Sequence, residues 1–500
     1  MRFSLKKIIS LLLIFSVPLW IFPPAQSYEK NKSETEQAKE MSLTDCVFLA
    51  LRHNRSIKNA YLDSVLQKFD LRVAEDEFYP DLVINSYVKH LSVNDGENKS
   101  YTNQAEIFAT VTQKIQTGAE LSFVWYDSTA REIDGNSSDD TYRSSWNLTF
   151  KQPLLKGGVI TVNNIPLETA RINEQINILF LKSTIMHTIT SAINDYRSFF
   201  QAGKQLEIST KSLERAKDLL EANRTLIGAG RMAQVEIVQV QADLADKEFG
   251  LTRARNAMET ARYSLLRILD IDKDTMIIPS GTMKLKFIKP DPVDCMAVAL
   301  KARPDYLQRH LNLKIAELNL IAAENNYLWD VSLEGAYGIE ATNILERRHY
   351  WKAIGNADMS DLNAGVSLTI PFGDLTREER VIRAENNLKK ARKALDELTD
   401  NIEKEVMDAV RNVEMKLSQV ESAQQAREFT EKKLEIEREK LRAGRSSNFH
   451  LVTFQNELIN AQNNELDTTI GYLNALAAMD RTLGTTLDTW KIDIEKMKED

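Results

Sequence analysis

The distribution of proline constrains this 500-residue chain more than any other sequence feature. All eleven prolines lie at or before Pro371, and none occurs within residues 167–278 or 372–500. Proline in a helix interior costs about 3 kcal/mol, and both tracts are rich in residues that favour helices. They therefore predict long uninterrupted helices. At about 1.5 Å per residue, Leu167–Ile227 would reach about 90 Å and Leu375–Arg442 about 100 Å, too long for an ordinary globule.

The first 27 residues have the pattern of a secretory signal peptide. Three basic residues precede an apolar run over residues 8–22, and small residues at 25–27 suit cleavage. The alternative is an uncleaved membrane anchor, but the run is shorter than the ~20 apolar residues that a spanning helix needs, and prolines interrupt it. We therefore place the start of the mature chain near Tyr28.

The chain is acidic, with a formal net charge of −8, which makes it a poor candidate for binding nucleic acid. Beyond the signal we find no stretch that is long and apolar enough for a transmembrane helix. If the mature chain crosses a membrane, strands must do so, because only helices and closed barrels satisfy the backbone in lipid.

The sequence contains an internal repeat. The segment that begins at Ser42 returns at Asp291, and the pair Asp45-Cys46 matches Asp294-Cys295 at an offset of 249 positions. Helix and following strand repeat together, because the same offset carries Asp81 to Asp330.

The long helical tracts repeat as well. The motif QPLLKGG around Pro153 is echoed by IPFGD around Pro371, and a long tract follows each. Farther along, Gly230-Arg231 matches Gly444-Arg445 at an offset of 214 positions. Glycine at these points predicts a left-handed helix cap followed by a returning helix. Each half therefore contains a short helix, strands, a long helix, a turn and another long helix.

The returning helix of the first half carries two adjacent apolar stripes. One consists of Val235, Val238, Ala242, Ala245 and Phe249, and the other of Ile237, Val240 and Leu244. A two-stranded coiled coil needs only one such seam, so two seams predict a neighbour on both sides, as in a wall of helices that closes into a cylinder. An antiparallel coiled-coil scaffold is the alternative, but it leaves the strands unexplained.

Between the short and long helices the apolar pattern changes to a period of two, which indicates strands. The second half has two such runs, 331–339 and 362–370, and the first half has four, 82–91, 105–115, 119–126 and 144–152. The middle pair is joined by Gln116-Thr117-Gly118, which predicts an extra hairpin. We therefore predict six strands per chain, with apolar residues facing lipid and polar residues facing a wet interior.

Aromatic residues cluster near the predicted strand ends. They are Tyr79, Tyr87, Trp125, Tyr126, Trp146, Tyr337 and Phe372. This placement is typical of the interfacial girdles of membrane barrels, and the alternative is the aromatic core of a soluble sheet.

Six strands cannot close a wide pore alone. A homotrimer would give a continuous barrel of eighteen strands and twelve long helical rods, with no sheet edge exposed to lipid.

These ordered features resemble the TolC-like outer-membrane factor family, also described as outer membrane efflux proteins. The resemblance rests on the doubled helix opening, the QPLLKGG and IPFGD motifs, and the doubled Gly-Arg turn followed by VEIVQVQADL or FHLVTFQNEL. It covers nearly all of the mature chain. It implies a mainly α chain with a membrane β-barrel part, in which a trimeric α-helical barrel of long hairpins joins a shared transmembrane β-barrel.

The predicted domain boundaries follow the repeat. They are a signal peptide at 1–27; an N-terminal linker at 28–41; a first repeat at 42–278, with helix 42–79, strands 80–153 and helical hairpin 166–272; a linker at 279–290; a second repeat at 291–484, with helix 291–328, strands 329–372 and helical hairpin 375–484; and a tail at 485–500.

The resemblance further implies a location in the outer membrane of a Gram-negative-type cell, with extension into the periplasm. The implied function is the passive exit duct of a tripartite efflux or type I secretion system. The implied partners are two further copies of the chain, a periplasmic adaptor (membrane fusion protein), an inner-membrane pump that is proton-driven (RND) or ATP-driven (ABC), and outer-membrane lipid. The alternative is a periplasmic coiled-coil scaffold or interaction protein without channel activity.

In the family, the turns of the helical hairpins form the periplasmic tip that meets the adaptor. Here that role maps onto Gly228, Gly230, Arg231 and Met232 in one half and onto Gly444, Arg445, Ser446 and Ser447 in the other; the alternative is that the glycines only cap helices. Some relatives narrow the tip with aspartate rings, but the equivalent positions here are Glu236, Gln239, His450 and Thr453. An aspartate gate is therefore not carried over. We hypothesise that Glu236 and His450 contribute to the constriction instead.

The sequence offers little for catalysis or cofactor binding. The six histidines are scattered without metal-ligand spacing, and no nucleophile elbow or phosphate loop is present. We therefore predict no enzyme, no cofactor and no metal site. Cys46 and Cys295 occupy equivalent repeat positions, which favours packed thiols over a disulfide, although the periplasm would permit oxidation. The cargo cannot be identified from the sequence.

Overall fold

The computed structural model describes residues 39–94, 96, 99–134, 137–230, 233–281, 285–342, 359–443 and 445–493. The predicted signal peptide and most of the linker at 28–41 lie outside these residues. In chain order the helices are α1 (Leu43–His53), α2 (Arg55–Asp76), α3 (Ile160–Asn163), α4 (Ile165–Gly228), α5 (Glu236–Leu269), α6 (Pro292–Ala302), α7 (Pro304–Tyr327), α8 (Leu375–Arg442), α9 (Asn448–Leu483) and α10 (Thr486–Thr489). The strands are β1 (Lys39–Met41), β2 (Asp81–Asn94), β3 (Lys99–Lys114), β4 (Glu120–Asp134), β5 (Ser137–Pro153), β6 (Ile277–Pro279), β7 (Asp330–Thr342) and β8 (Met359–Thr369).

Each predicted short helix is in fact a pair of helices. The helices predicted over 42–79 and 291–328 are interrupted at Asn54 and Arg303, where the backbone is extended. At the first break the Asn54 side chain accepts a hydrogen bond from Ser56 N–H at 2.9 Å and so caps α2. At the second, Pro304 disfavours the helical conformation of the residue before it and starts α7.

The proline-free tracts form the predicted long helices. α4 has 64 residues and α8 has 68, so the two rods are about 96 Å and 102 Å long. α5 returns along α4, and α9 returns along α8. In both halves the return reaches only about half as far as the first helix, because α5 has 34 residues and α9 has 36.

Burial repeats along the long helices at the offset seen in the sequence. Buried positions in α4 and α8 match as Ala192 with Val406, Tyr196 with Val410, Phe199 with Val413 and Leu220 with Leu434. Each pair is separated by 214 residues, so the two hairpins use equivalent faces for packing.

The two cysteines lie in separate cores. Cys46 packs with Ala192, Phe199 and other residues of the first repeat, whereas Cys295 packs with residues of α8 and α9. Both are free thiols, and burial raises the pKa of Cys46 to about 12. The structure therefore agrees with packed thiols, and a high pKa makes the Cys46 thiol unreactive.

Among the described residues, one helix is long and apolar enough to cross a membrane by length and composition alone, contrary to the sequence analysis. It is α4, and 44% of its most apolar window is buried within the single chain. Leu181, Ile185 and Ile189 of this helix belong to a core cluster with residues of α1 and α2. Core packing therefore explains why this segment is apolar.

The main sheet has six strands in the order β2-β3-β4-β5-β7-β8, and every neighbouring pair is antiparallel. Four strands come from the first repeat and two from the second, as predicted. Within the described residues, β2 and β8 form the two open edges of this sheet. A second sheet pairs β1 in parallel with β6, so the end of the predicted N-terminal linker is a strand.

The turn between β3 and β4, which closes the extra hairpin, packs closely against the segment that follows β5. Gly118 has a φ of 85°, and a Cβ added there would lie 2.0 Å from the carbonyl oxygen of Gly157. The Asn163 side-chain amide donates hydrogen bonds to Gln116 O at 3.1 Å and to Gly157 O at 2.8 Å. Only glycine fits this approach, and the extra hairpin is thereby held beside the start of the first long helix.

Candidate channel wall and helical tips

The strand register separates apolar and polar side chains onto opposite faces of the sheet. Successive side chains of a strand alternate between faces, so directly paired residues share a face. One row of paired residues is Val111, Phe123 and Leu148, which continues through Tyr337 and Leu362. We call this side the apolar face.

The apolar face forms a continuous band across all six strands. It also includes Leu82, Ile84 and Val88 of β2, Trp125 of β4, Trp146 of β5, Leu333 and Ile339 of β7 and Val366 and Leu368 of β8. The band lies in the half of the sheet nearest the helices. Beyond it the same face becomes polar, with Asp127 and Arg131 of β4 and Asp140 of β5. An apolar band of this kind suits contact with lipid.

The opposite face carries paired charges, and we call it the polar face. Lys151 Nζ lies 3.0 Å from Glu334 Oε1, and Arg143 Nε lies 2.7 Å from Glu340 Oε1. Both pairs cross from β5 to β7 and therefore join the two repeats. A face with this chemistry suits a water-filled interior.

The predicted aromatic girdle is only partly correct. Trp125, Trp146 and Tyr337 lie on the apolar face, with the rings of the last two 5.4 Å apart. Tyr87 and Tyr126 instead lie on the polar face, where both contact Phe108. Alternation along the strands separates the two groups, which nearness to strand ends alone could not reveal.

The turn between α4 and α5 has the predicted glycine geometry. Gly228 is the last residue of α4, and Gly230 follows with a φ of 70°. The Gly230 N–H donates a hydrogen bond to Ile227 O at 2.9 Å, which closes the end of the helix. Of the predicted docking residues in this turn, Arg231 and Met232 lie outside the described residues.

The turn between α8 and α9 is held by a carboxylate that the sequence analysis did not single out. Ser446 Oγ donates a hydrogen bond to Glu437 Oε1 at 2.5 Å, and Lys440 Nζ lies 3.1 Å from Glu437 Oε2. The hydrogen bond from Ser446, aided by Lys440 and by the charge of His450, holds the pKa of Glu437 below its usual range. Glu437 thus organises this turn. Arg445 N–H closes the helix onto Lys440 O at 2.8 Å.

The predicted docking residues of this turn also include Ser447 and Gly444. Ser447 is the N-cap residue of α9 and makes no side-chain cap. Gly444 lies outside the described residues.

The two tips are linked by a buried amide pair. Asn448 Nδ2 donates a hydrogen bond to Asn223 Oδ1 at 2.7 Å, and Asn223 Nδ2 donates to Leu219 O at 2.9 Å. Asn223 and Asn448 are both buried. The sequence could have indicated Asn223. Asn223 and Glu437 are equivalent at the offset of 214, and each is a polar residue within an otherwise apolar stripe.

The candidate constriction residues lie at the start of the returning helices. Glu236 and Gln239 belong to the first turns of α5, and His450 and Thr453 belong to those of α9. His450 is exposed, with its ring centroid 5.7 Å from that of Phe449. Within the described part of one chain, no hydrogen bond or ion pair joins Glu236 to His450. A shared constriction would therefore have to arise between copies.

A charged cavity of about 640 Å³ lies where the two repeats meet, between α4, α7, α8 and α9. Three of its charged groups bind one another, because Arg303 lies 2.6 Å from both Asp305 and Glu405. Among the described residues there is also no group of three His, Cys, Asp or Glu side chains that could hold a metal ion.

The comparisons with known proteins agree with this architecture. Residues 296–485 match the family model described as outer membrane efflux protein. No match was found among curated protein sequences.

Three solved structures are similar over most of the chain. The CmeC outer membrane channel of Campylobacter jejuni is 15% identical, with a TM-score of 0.69 over 97% of this chain and 97% of its own. The outer membrane protein VceC of Vibrio cholerae is 15% identical, with a TM-score of 0.66 over 88% and 96%. The MtrE outer membrane channel of Neisseria gonorrhoeae is 15% identical, with a TM-score of 0.66 over 89% of each chain.

Long helical hairpins joined to a sheet with one apolar and one polar face are the architecture that this chain shares with these outer membrane channels. The predicted resemblance is confirmed, because residues 296–485 match the outer membrane efflux protein family model and the chain as a whole has the fold of the TolC-family channels. The family description also places its members in the outer membrane, as the sequence predicts for this chain.

Proposed function

We propose that this chain is the outer-membrane exit channel of a tripartite efflux or type I secretion system. In this proposal it conducts substrates passively from an inner-membrane pump through the periplasm and the outer membrane. The carrying observation is the two-faced sheet, whose apolar band fits lipid and whose polar face fits a water-filled duct. The units are the first repeat over residues 42–278 and the second over 291–484.

The proposal includes a homotrimer. In the part of the chain that the structure describes, the sheet has two open edges, β2 and β8, and an open edge in lipid would leave backbone groups without partners. A strand number that is even lets β8 of one copy run antiparallel to β2 of the next. The periplasmic scaffold is the alternative function, but no observation favours it, because a soluble scaffold would gain nothing from a broad exposed apolar band.

Cell fractionation tests the channel against the scaffold. We expect the protein in outer-membrane fractions, as an oligomer that survives cold detergent and dissociates on heating, and we expect conductance from this species in planar bilayers. A soluble periplasmic protein without conductance would show that the scaffold is the correct function.

The proposed docking surface is the pair of tips, with Gly228, Gly230, Arg231 and Met232 on one side and Gly444, Arg445, Ser446 and Ser447 on the other. The proposed partners are a periplasmic adaptor and an inner-membrane RND or ABC pump. Photo-crosslinkers placed at Arg445 and Ser447 should capture the adaptor, and the pump should copurify with it. The same probe at Glu421, in α8 about 30 Å before the tip, should capture neither. Equal capture of the adaptor from the tip and from Glu421 would show that the tips are not the docking site.

The proposed constriction comprises Glu236, Gln239, His450 and Thr453. Threefold symmetry would gather three copies of each near the axis, so Glu236→Gln should lower cation selectivity and His450→Ala should reduce the pH response of the current. Single-channel recordings provide the measurement. Unchanged current and pH response in both variants would exclude these residues from the constriction.

A further inference from the structure

Within the chain, one strand pairing joins the strand region of the first repeat to that of the second. β5 ends the strand region of the first repeat, and it pairs directly with β7, which begins that of the second. β8 and β2 are the corresponding last and first strands, and neither pairs on its outer side with any strand of the described residues. The same junction can therefore form between copies.

We infer that β8 of one copy pairs with β2 of the next in a register copied from the β5–β7 junction, with Val366 opposite Val88 of the next copy. The inference rests on the proposed function, which supplies the neighbouring copies, and it adds the residue pairs that the barrel needs to close. The partner at each edge is thus a second copy of this chain.

The proposed register follows from two sequence offsets, one for each pair of equivalent strands. β7 corresponds to β2 at the offset of 249 that aligns Asp330 with Asp81, and β5 corresponds to β8 at the offset of 218 that aligns Pro153 with Pro371. Inside the chain, Leu148 pairs with Tyr337. Adding 218 to the number of Leu148 gives Val366, and subtracting 249 from that of Tyr337 gives Val88. In the same way Ser144–Ala341 becomes Leu362–Ser92, and Lys151–Glu334 becomes Thr369–Asn85.

The faces of the sheet provide an independent check of this register. Val366 and Leu362 lie on the apolar face of β8, and Val88 lies on the apolar face of β2. A shift of one residue would place apolar side chains against polar ones. The offset of 249 is also given by the helix openings, where Asp45 matches Asp294, and the offset of 218 comes from the proline motifs at the strand ends. Neither offset was chosen from the apolar pattern of the strands, so the agreement of the faces is not built into them.

The helices show the same missing neighbour. α7 packs against its own long helix, α8, and also against α4 of the other repeat, where Lys314 Nζ lies 2.8 Å from Glu168 Oε1. Its equivalent, α2, packs along α4 but makes no comparable contact with a second long helix within the described residues.

The uncovered side of α2 is an apolar stripe. Leu62, Leu66, Phe69 and Val73 are each 58–64% exposed. Their counterparts at the offset of 249 are Leu311, Ile315, Leu318 and Ala322, which are also apolar and are half-buried. The repeat therefore identifies α8 of the next copy as the element that covers the stripe.

Disulfide trapping tests the register. In a background with Cys46→Ala and Cys295→Ala, the pair Asn85→Cys and Thr369→Cys would place two thiols opposite each other on the polar face. Cα atoms of directly opposed residues in an antiparallel pair lie about 4.5–5.5 Å apart, within the range of about 4.4–6.8 Å that a disulfide spans. We expect mild oxidation to convert the chain into a covalent trimer on non-reducing gels after heating, and reductant to return it to monomer.

Two matched pairs control for proximity alone. Asn85→Cys with Ser367→Cys shifts the pairing by two residues on the same face, and Asn85→Cys with Leu368→Cys points the thiols to opposite faces. Both should give at least tenfold less covalent trimer. If Asn85→Cys and Thr369→Cys disturb assembly, Tyr87→Cys with Ser367→Cys examines the same register.

The outcomes separate the register from the channel. A heat-labile oligomer that conducts but crosslinks best through a shifted pair would overturn the register and leave the proposed function intact. Absence of any oligomer and conductance in the parent protein would overturn both.

Discussion

At the scale of single residues, the repeat places different residues at equivalent helix ends. Gly484 follows α9 and Asp270 follows α5, at the offset of 214, and both adopt left-handed backbone conformations with φ of 80° and 52°. Asp270 keeps a side chain there and lies 2.7 Å from Arg55. At Gly484 a Cβ would instead lie 2.7 Å from the backbone carbon of Ala302.

This difference predicts that exchanging the residues at the two helix ends will change stability unequally. Gly484→Asp should destabilise the chain by about 1–3 kcal/mol, because the left-handed backbone is strained and the new side chain meets backbone atoms. Asp270→Gly should be nearly neutral, because it relieves strain and loses only an exposed ion pair. Thermal dissociation of the oligomer and circular dichroism provide the measurements; equal effects of the two exchanges would contradict the prediction.

Glu437 predicts a pH dependence of the second tip. Its pKa is held below the ordinary value of 4.5, so its contribution to stability is complete above that value and is lost as the pH falls through the lower folded pKa. Hydrogen exchange of residues 437–447 should therefore be constant above pH 4.5 and accelerate as the pH is lowered below 4.5, after correction for intrinsic rates. Glu437→Gln should show fast exchange at every pH.

The control for this prediction is Glu439→Gln, which removes an exposed carboxylate that pairs with Arg442 on the same helix. It should leave the exchange profile of the tip unchanged. A wild-type profile that does not depend on pH would show that Glu437 does not hold the turn.

The sequence could predict some residues of the tips and not others. Glycine after an amphipathic run indicates a helix cap, and Gly230 has the expected backbone. Glu437 and Asn223 escaped notice because one polar residue in a long apolar stripe has no local motif. Their roles depend on Ser446 and Asn448, which approach only after the helices reverse direction.

At the scale of elements, α2 and α7 differ in what covers them. Phe69→Asp should prevent oligomer formation while the helical content of the chain stays unchanged, because Phe69 is exposed in the single chain. Leu318→Asp, at the equivalent position of α7, should destabilise the chain itself, because this residue is half-buried within it.

Lys68→Asp, on another face of α2, is the control and should still assemble. Size-exclusion chromatography with light scattering and circular dichroism distinguish the two outcomes. Normal assembly of Phe69→Asp would show that the apolar stripe is not an interface.

Strand existence was predictable, but strand length was not. The period of two is clear only where one face must be apolar, near the helices. Farther along β4 and β5 the apolar face carries Asp127, Arg131 and Asp140, so the alternation of polarity disappears although pairing continues. The side-chain cap made by Asn54 likewise divides the first short helix, and Pro304 divides the second, although the apolar pattern continues through both points.

At the scale of the whole molecule, the extra hairpin sets the size of the proposed barrel. Deletion of residues 99–134 would remove β3 and β4 and leave β2 and β5 antiparallel, joined at the same end of the sheet. Barrel diameter grows about linearly with strand number, so loss of a third of the strands should narrow the pore by about a third and lower conductance about twofold.

The control removes only residues 99–114, and with them β3. Five strands per chain would place β8 parallel to β2 of the next copy, so no closed conducting oligomer should form. Single-channel recording and heat-labile bands on gels provide the readouts. Conductance from the five-strand variant would contradict the proposed closure.

The direct pairing of β5 with β7 also has a consequence for the order of folding. Pro153 pairs with Ser332, and the whole of the first helical hairpin together with α6 and α7 lies between them in sequence. The sheet therefore cannot form in the order of synthesis, because β5 waits for a strand that emerges only after α7. Contacts of such large sequence separation slow folding and leave strand edges exposed meanwhile. The time before β7 arrives is the interval in which this chain is most vulnerable to aggregation.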